Sequence, residues 1–228
     1  MIPILYEDNH CLVLNKPAGL LSQGDAGGDP SVVDVVAAYL KEAYAKPGNV
    51  FVGLVHRLDR PTSGAILVAR TSKAATRLSD QFRRGGVTKT YLAVVEGLLR
   101  LDDEGEMVDW LVKDESTNTV ASVPQGTPGA QHAHLAYRVL DRHLGRATLE
   151  LTPTTGRGHQ IRVQLASRKL PIVGDRKYGS RVRLDAEDGR PRIALHAHQL
   201  RFTHPTKGEP RSIEAPLPSD WPARTGPG

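Results

Sequence analysis

At 228 residues the chain is long enough to bury the core of one or two domains, and its 30 Lys and Arg against 25 Asp and Glu leave a net charge of +5. A basic balance favours a polyanionic partner, and arginine is suited to fork onto phosphate oxygens. The lone cysteine, Cys11, excludes an intrachain disulfide and a cysteine-based zinc site; with no secretory pattern at the N-terminus and no apolar stretch near membrane-spanning length, a soluble cytoplasmic protein is expected.

Ile2–Tyr6 and Cys11–Asn15 read as two strands joined at Asp8-Asn9, the second ended by Lys16-Pro17-Ala18-Gly19. Ser31-x-x-Asp34 has the form of a capping box and starts a helix running to about Tyr44, ahead of Pro47-Gly48. Two apolar runs, Phe51–Val55 and Ala65–Ala69, have the length of buried strands, and Pro61 and Gly64 break the periodicity between them. The intervening His56-Arg57-Leu58-Asp59-Arg60 is therefore expected on an ordered loop displayed by the sheet. It sets one carboxylate, Asp59, among three side chains able to carry positive charge. Such neighbours favour the ionised form of a carboxylate, which suits a nucleophile or base better than a proton donor.

Thr71 or Ser72 caps a second helix that ends near Arg84 at Gly85-Gly86 and carries Arg77, Arg83 and Arg84 toward its end. Thr88–Glu96, with Tyr91 inside it, is β-branched and aromatic enough for a strand. The stretch 100–130 reads as a peripheral hairpin with a long loop, and strands His132–Leu140 and Ala147–Thr152 follow. After Leu151 the chain passes through a Thr/Gly turn into a helix over 159–169, which puts Arg162 in the first helical turn. A cation there opposes the helix dipole unless an anion is near, and the amides of a helix start can themselves hold a phosphate. A strand at Ile193–Phe202 and an extended segment around Ile213 complete an α+β domain spanning 1–221, with 222–228 expected to fray. His132-x-His134 and His196-x-His198 place histidine pairs on strand faces; lacking a third ligand they read as packing residues, and no metal is expected.

Three segments together resemble the RluA-type pseudouridine synthases: His56-Arg-Leu-Asp59-x-x-Thr62-Ser63-Gly64, Lys89-x-Tyr91-x-Ala93-x-Val95-x-Gly97, and Thr155-Gly-Arg-x-His159-Gln160-Ile161-Arg162. Asn15-Lys16-Pro17-x-Gly19, Gly174-Asp-x-x-Tyr178-Gly179, and Ala194-Leu-His-Ala197 with Phe202-Thr-His-Pro205 flank them in the same order. Gly158 and Gln164 depart from the family's usual residues at places where an RNA contact would be altered, and no stretch matches the S4-type RNA-binding domain of many relatives. The resemblance implies a catalytic domain with a mixed, largely antiparallel central sheet flanked by helices. It also implies isomerisation of a uridine to pseudouridine in structured RNA, ribosomal or transfer, by a monomer with no cofactor and no obligate protein partner.

It makes Asp59 the essential carboxylate, as nucleophile or as base at C2′, pairs Arg162 with it, and sets the Tyr91 hydroxyl near the proton leaving C5. Arg57 is implied to fill the space of the extruded base. His56, Arg60, Arg157, His159, Arg83 and Arg84 are candidates for RNA contacts. A carboxylate-dependent hydrolase would need a second acid with its own context, which neither Glu96 nor Asp175 has in the sequence. A non-catalytic RNA-binding protein with the same fold would have no need of Asp59, Tyr91 and Arg162 together.

Overall fold

The computed structural model describes residues 2–25, 27–97, 101–186 and 188–222; apart from Pro222, the stretch expected to fray lies outside them. Its strands are β1 (Ile4–Glu7), β2 (Cys11–Lys16), β3 (Gly53–Leu54), β4 (Ser63–Ala69), β5 (Thr88–Glu96), β6 (Glu104–Asp114), β7 (Thr119–Val123), β8 (Gln131–His143), β9 (Arg146–Pro153), β10 (Leu195–Thr203) and β11 (Pro210–Glu214). The helices are α1 (Val32–Ala43), α2 (Ser72–Arg83) and α3 (Gln160–Ser167), with a short 3-10 turn at Arg176–Tyr178. The chain divides into two compact units, residues 1–88 with 197–218 and residues 89–196 with 219–228. The mixed α/β class with mainly antiparallel pairing is as expected.

In the first unit the strand order is β1-β2-β4-β10-β11, with β3 also paired to β4. The apolar faces of β2, β4 and β10 meet α2 in a core that includes Cys11, Val13, Leu67, Leu78, Leu200 and Phe202. Both helices obey their caps. Ser31 and Asp34 form the reciprocal capping box of α1, and Thr71 Oγ1 accepts the Ala74 amide at the start of α2. The apolar run Phe51–Val55 yields only two strand residues. Its pairing with β4 is limited to Gly53↔Ala69 and Leu54↔Val68, β10 is the other neighbour of β4, and Phe51 is left exposed. Gly64 allows β4 and β10 to approach closely: φ is +115°, and a Cβ there would lie 2.3–2.7 Å from backbone atoms of Ala197.

In the second unit the order is β5-β9-β8-β6-β7, all antiparallel. The peripheral hairpin is β6–β7, closed by residues 115–118. The Asp114 carboxylate accepts from the Ser116 amide and from the Ser116 and Thr117 hydroxyls, so the turn is short and the longer loop falls after β7. β8 reaches His143, past the expected end at Leu140, because a bulge between Val139 and Asp141 lets pairing resume. Leu144 and Gly145, both with positive φ, then close the β8–β9 hairpin. Leu111, Val120, Ala133 and Val163 form a core cluster between this sheet and α3, with the Tyr178 ring packed against it.

Candidate active site

Asp59 lies on the loop between β3 and β4, and hydrogen bonds fix the residues on either side of it. The Leu58 amide donates to Ser22 Oγ at 3.0 Å, and the same hydroxyl donates to the Leu58 carbonyl at 2.7 Å. On the other side, the Arg60 carbonyl accepts the Gly19 amide at 2.8 Å and Lys16 Nζ at 3.2 Å, while Arg60 Nε donates to the Gly19 carbonyl at 3.1 Å. The Thr62 amide closes a turn onto the Asp59 carbonyl at 3.0 Å. The loop is thus clamped through its main chain, and the half-buried Asp59 side chain extends from a fixed backbone.

Lys16 is fully buried and also donates to the Pro17 and Leu20 carbonyls. Burial pushes its pKa down to about 7, opposed by the nearby Asp59 carboxylate and reinforced by Arg60.

His56 and Arg60 serve the loop's own architecture. His56 Nε2 accepts the Leu67 amide at 2.9 Å, and the ring stacks on Phe82 at 4.6 Å between centroids. Nε2 therefore carries no proton. Arg60 Nη2 reaches Asp29 at 2.6 Å. Arg57 is exposed. Arg83 and Arg84, also exposed, both pair with Asp80 at the C-terminal end of α2, where cations complement the dipole.

The second unit carries Tyr91, Arg162, Arg157 and His159. Tyr91 is buried on β5, opposite Leu151 of β9. Arg162 stands at the third position of α3 after its cap His159, as expected, and its guanidinium makes a fork with Asp175: Nε to Oδ2 at 2.7 Å and Nη2 to Oδ1 at 2.9 Å. Side chains of both are at most 5% exposed. The guanidinium carbon also lies 4.9 Å from the centre of the Tyr178 ring. Tyr178's hydroxyl is fixed in turn, accepting the Val120 amide at 2.9 Å and meeting His159 Nδ1 at 2.6 Å. Hence the Gly174-Asp-x-x-Tyr178-Gly179 motif is a cradle for Arg162. Sequence reasoning quoted that motif without giving Asp175 or Tyr178 a task, and it passed over Ser22 because nothing around a lone serine marks it.

The turn before α3 is held by Gln160. Its Oε1 accepts from the Thr155 hydroxyl and the Arg157 amide, and its Nε2 donates to the His134 carbonyl. Arg157 is exposed, with Nε on the His132 carbonyl at 2.9 Å. Gln164 belongs to the fold, not to an RNA contact: it is completely buried, and its amide group donates to the Met107 carbonyl and to Asp109. A side chain at Gly158 would meet nothing within 4 Å.

Among the described residues one trio has metal-donor atoms close together, Asp8, Cys11 and His204, within 4.8 Å of one another. These side chains already have structural roles. Asp8 accepts the His10 and Cys11 amides, His204 Nε2 and the Tyr6 hydroxyl. Burial would raise its pKa, but these hydrogen bonds together hold it far below the usual carboxylate range. Burial, then Asp8, pushes the Cys11 thiol up to about 12. The trio locks the β1–β2 turn.

A family model described as RNA pseudouridylate synthase matches residues 10–167. The chain belongs to this family. Curated relatives in it include ribosomal large subunit pseudouridine synthase D of Xanthomonas campestris, 40% identical over 95% of this chain, and synthase C of Escherichia coli, 37% identical over 94%. The chain spans 66% of the length of each. Among solved structures, human RNA pseudouridylate synthase domain containing 4 superposes with a TM-score of 0.78 at 27% identity, covering 96% of this chain and 90% of that one. Human domain containing 1 gives 0.72 at 26%, covering 96% and 84%. The correspondence with RluA-type synthases drawn from the motifs is therefore a family relationship.

Proposed function

We propose that this chain is an RNA pseudouridine synthase acting on large-subunit ribosomal RNA, with residues 1–221 working as one catalytic domain. The observation that carries the reading is the doubly clamped Asp59 loop, whose flanking residues Leu58 and Arg60 are pinned while the carboxylate between them stays half-exposed. A carboxylate held on a rigid loop meets the reaction's need for an oriented nucleophile or base. The names of the curated relatives supply the class of RNA.

In this reading the target uridine leaves its stack, at a cost of a few kcal/mol, and Arg57 occupies the space it vacates. Asp59 attacks the ribose or removes the C2′ proton, the N1–C1′ bond breaks, and the uracil turns. C5 then bonds to C1′, displacing Asp59 from the sugar or with the C2′ proton returned. The C5 proton departs with help from the Tyr91 hydroxyl, and N1, no longer bonded to ribose, gains a proton. One C–N bond is exchanged for one C–C bond with no change of oxidation state overall, so the chemistry calls for no redox cofactor. Arg162, oriented by Asp175 and Tyr178, pairs with Asp59. Arg157, Arg83 and Arg84 contact phosphates, while His56, Arg60 and His159 contribute by holding their loops at the RNA surface. Among the described residues no helix is long and apolar enough to cross a membrane. In this reading the protein works as a cytoplasmic monomer.

The test is pseudouridine mapping of large-subunit RNA, transcribed without modifications and incubated with purified protein. Wild type forms pseudouridine at one or a few positions, and Asp59→Asn forms none while still retaining the RNA on a filter. Equal product from the two proteins ends the assignment. RNA retention without product from wild type makes the chain a binder instead.

A further inference from the structure

Lys89 is a charged residue of the second unit that the reaction as written leaves without a task. It sits on β5 two residues before Tyr91, and alternation along a strand places both side chains on one face. It is half-buried, yet its ammonium has a single protein partner, the Thr155 carbonyl at a long 3.4 Å, and no carboxylate pairs with it among the described residues. Burial alone lowers its pKa. A desolvated cation without a counter-ion is unfavourable, and such a group is retained where an external anion completes it.

The surroundings point to what that anion is. Lys89 Nζ lies 3.7 Å from where a Cβ on Gly156 would stand. The lysine therefore faces a turn whose Gly156 and Gly158 present bare backbone. Between the two glycines is Arg157, exposed, its Nε tethered to the His132 carbonyl. Two cations thus meet at a turn whose two glycines carry no side chain to keep an anion at a distance. One is half-sunk and the other tethered at the surface.

We infer that Lys89, beside the Thr155–Gly158 turn, and Arg157, within it, form a seat for one backbone phosphate of the RNA strand that carries the target uridine. This rests on the synthase reading and deepens it. Lys89 is a positioning residue here: it fixes the strand along the face of β5 that bears Tyr91 and takes no part in bond making.

The experiment compares wild type, Lys89→Met, Lys89→Gln and Lys89→Arg in filter binding to unmodified large-subunit RNA across a potassium chloride series, with thermal melts of each protein. Loss of one phosphate contact lowers the slope of log affinity against log salt by about 0.7–0.9. Lys89→Met and Lys89→Gln are expected to show that drop and bind about tenfold more weakly at low salt. Lys89→Arg keeps the wild-type slope. Because the ammonium is desolvated and unpaired, Lys89→Met should melt at or above the wild-type temperature, the opposite of what a structural lysine gives. Unchanged slope and affinity in both Lys89→Met and Lys89→Gln overturn the proposal, as does a lower melting point in Lys89→Met together with a wild-type slope. Binding slopes are read without turnover, so these outcomes remain distinct from a failure of the wild type to make pseudouridine.

Discussion

The two units hold their principal charged groups by different means. Asp59 sits on a gripped main chain: Ser22, Gly19 and Lys16 hold the peptide groups of Leu58 and Arg60 on either side of it. Arg162 is positioned through its own head group, by the fork to Asp175 and the face of Tyr178. A short carboxylate has few rotamers, so a fixed backbone nearly fixes the charge. A long arginine on a helix has many, and only partners at the guanidinium can select one.

The comparison breaks first at Asp175. Asp175→Ala leaves a buried guanidinium without its carboxylate, and a loss of about 3–5 kcal/mol is expected in denaturant unfolding. Asp175→Glu keeps the charge and should recover part of that stability with turnover still depressed, since the fork geometry is not reproduced. On the other side, Lys16→Met strands the Pro17 and Leu20 carbonyls and removes one of the Arg60 carbonyl's two donors. Its expected cost is about 1–3 kcal/mol, with turnover falling more than RNA affinity.

Lys16 also gives the first unit a pH signature. The folded chain holds this proton only up to about pH 7, while the unfolded chain keeps it to the ordinary lysine value of 10.5. Between those limits the unfolded state binds more protons, so this group's contribution to stability rises with pH across the window. The stability difference between wild type and Lys16→Met, followed from pH 7 to 10, should grow; a flat difference would mean the ammonium is not desolvated. The smallest effect belongs to Ser22→Ala. It unhooks Leu58 from both of its bonds for about 1 kcal/mol, and the readout is a lower kcat with an unchanged RNA dissociation constant.

Much of this was legible in the chain. Ser31 with Asp34 and Thr71 marked the helix starts, because caps are local chemistry. Asp59 and Arg162 stood out as charges in odd places, one among cations and the other at a helix start. The cradle was harder to read: Asp175 lies 13 residues from Arg162 across a turn, and nothing local ties the two. The clamp on Leu58 spans 36 residues and depends on one hydroxyl, which carries no pattern. Phe51–Val55 looked like a full strand because apolar content does not reveal how much of a neighbour's edge is free. Gln164 looked like a surface departure because its partners, Met107 and Asp109, are more than 50 residues away.

Gly64 closes the motif that holds Asp59, and its requirement is mechanical. With φ of +115° and the backbone of Ala197 where a methyl group would go, even alanine must prise two strands apart. A screen scored by product alone would list position 64 among the chemical residues. Scored alongside heat tolerance, it would emerge as a spacer, because the inactive protein would also be the fragile one.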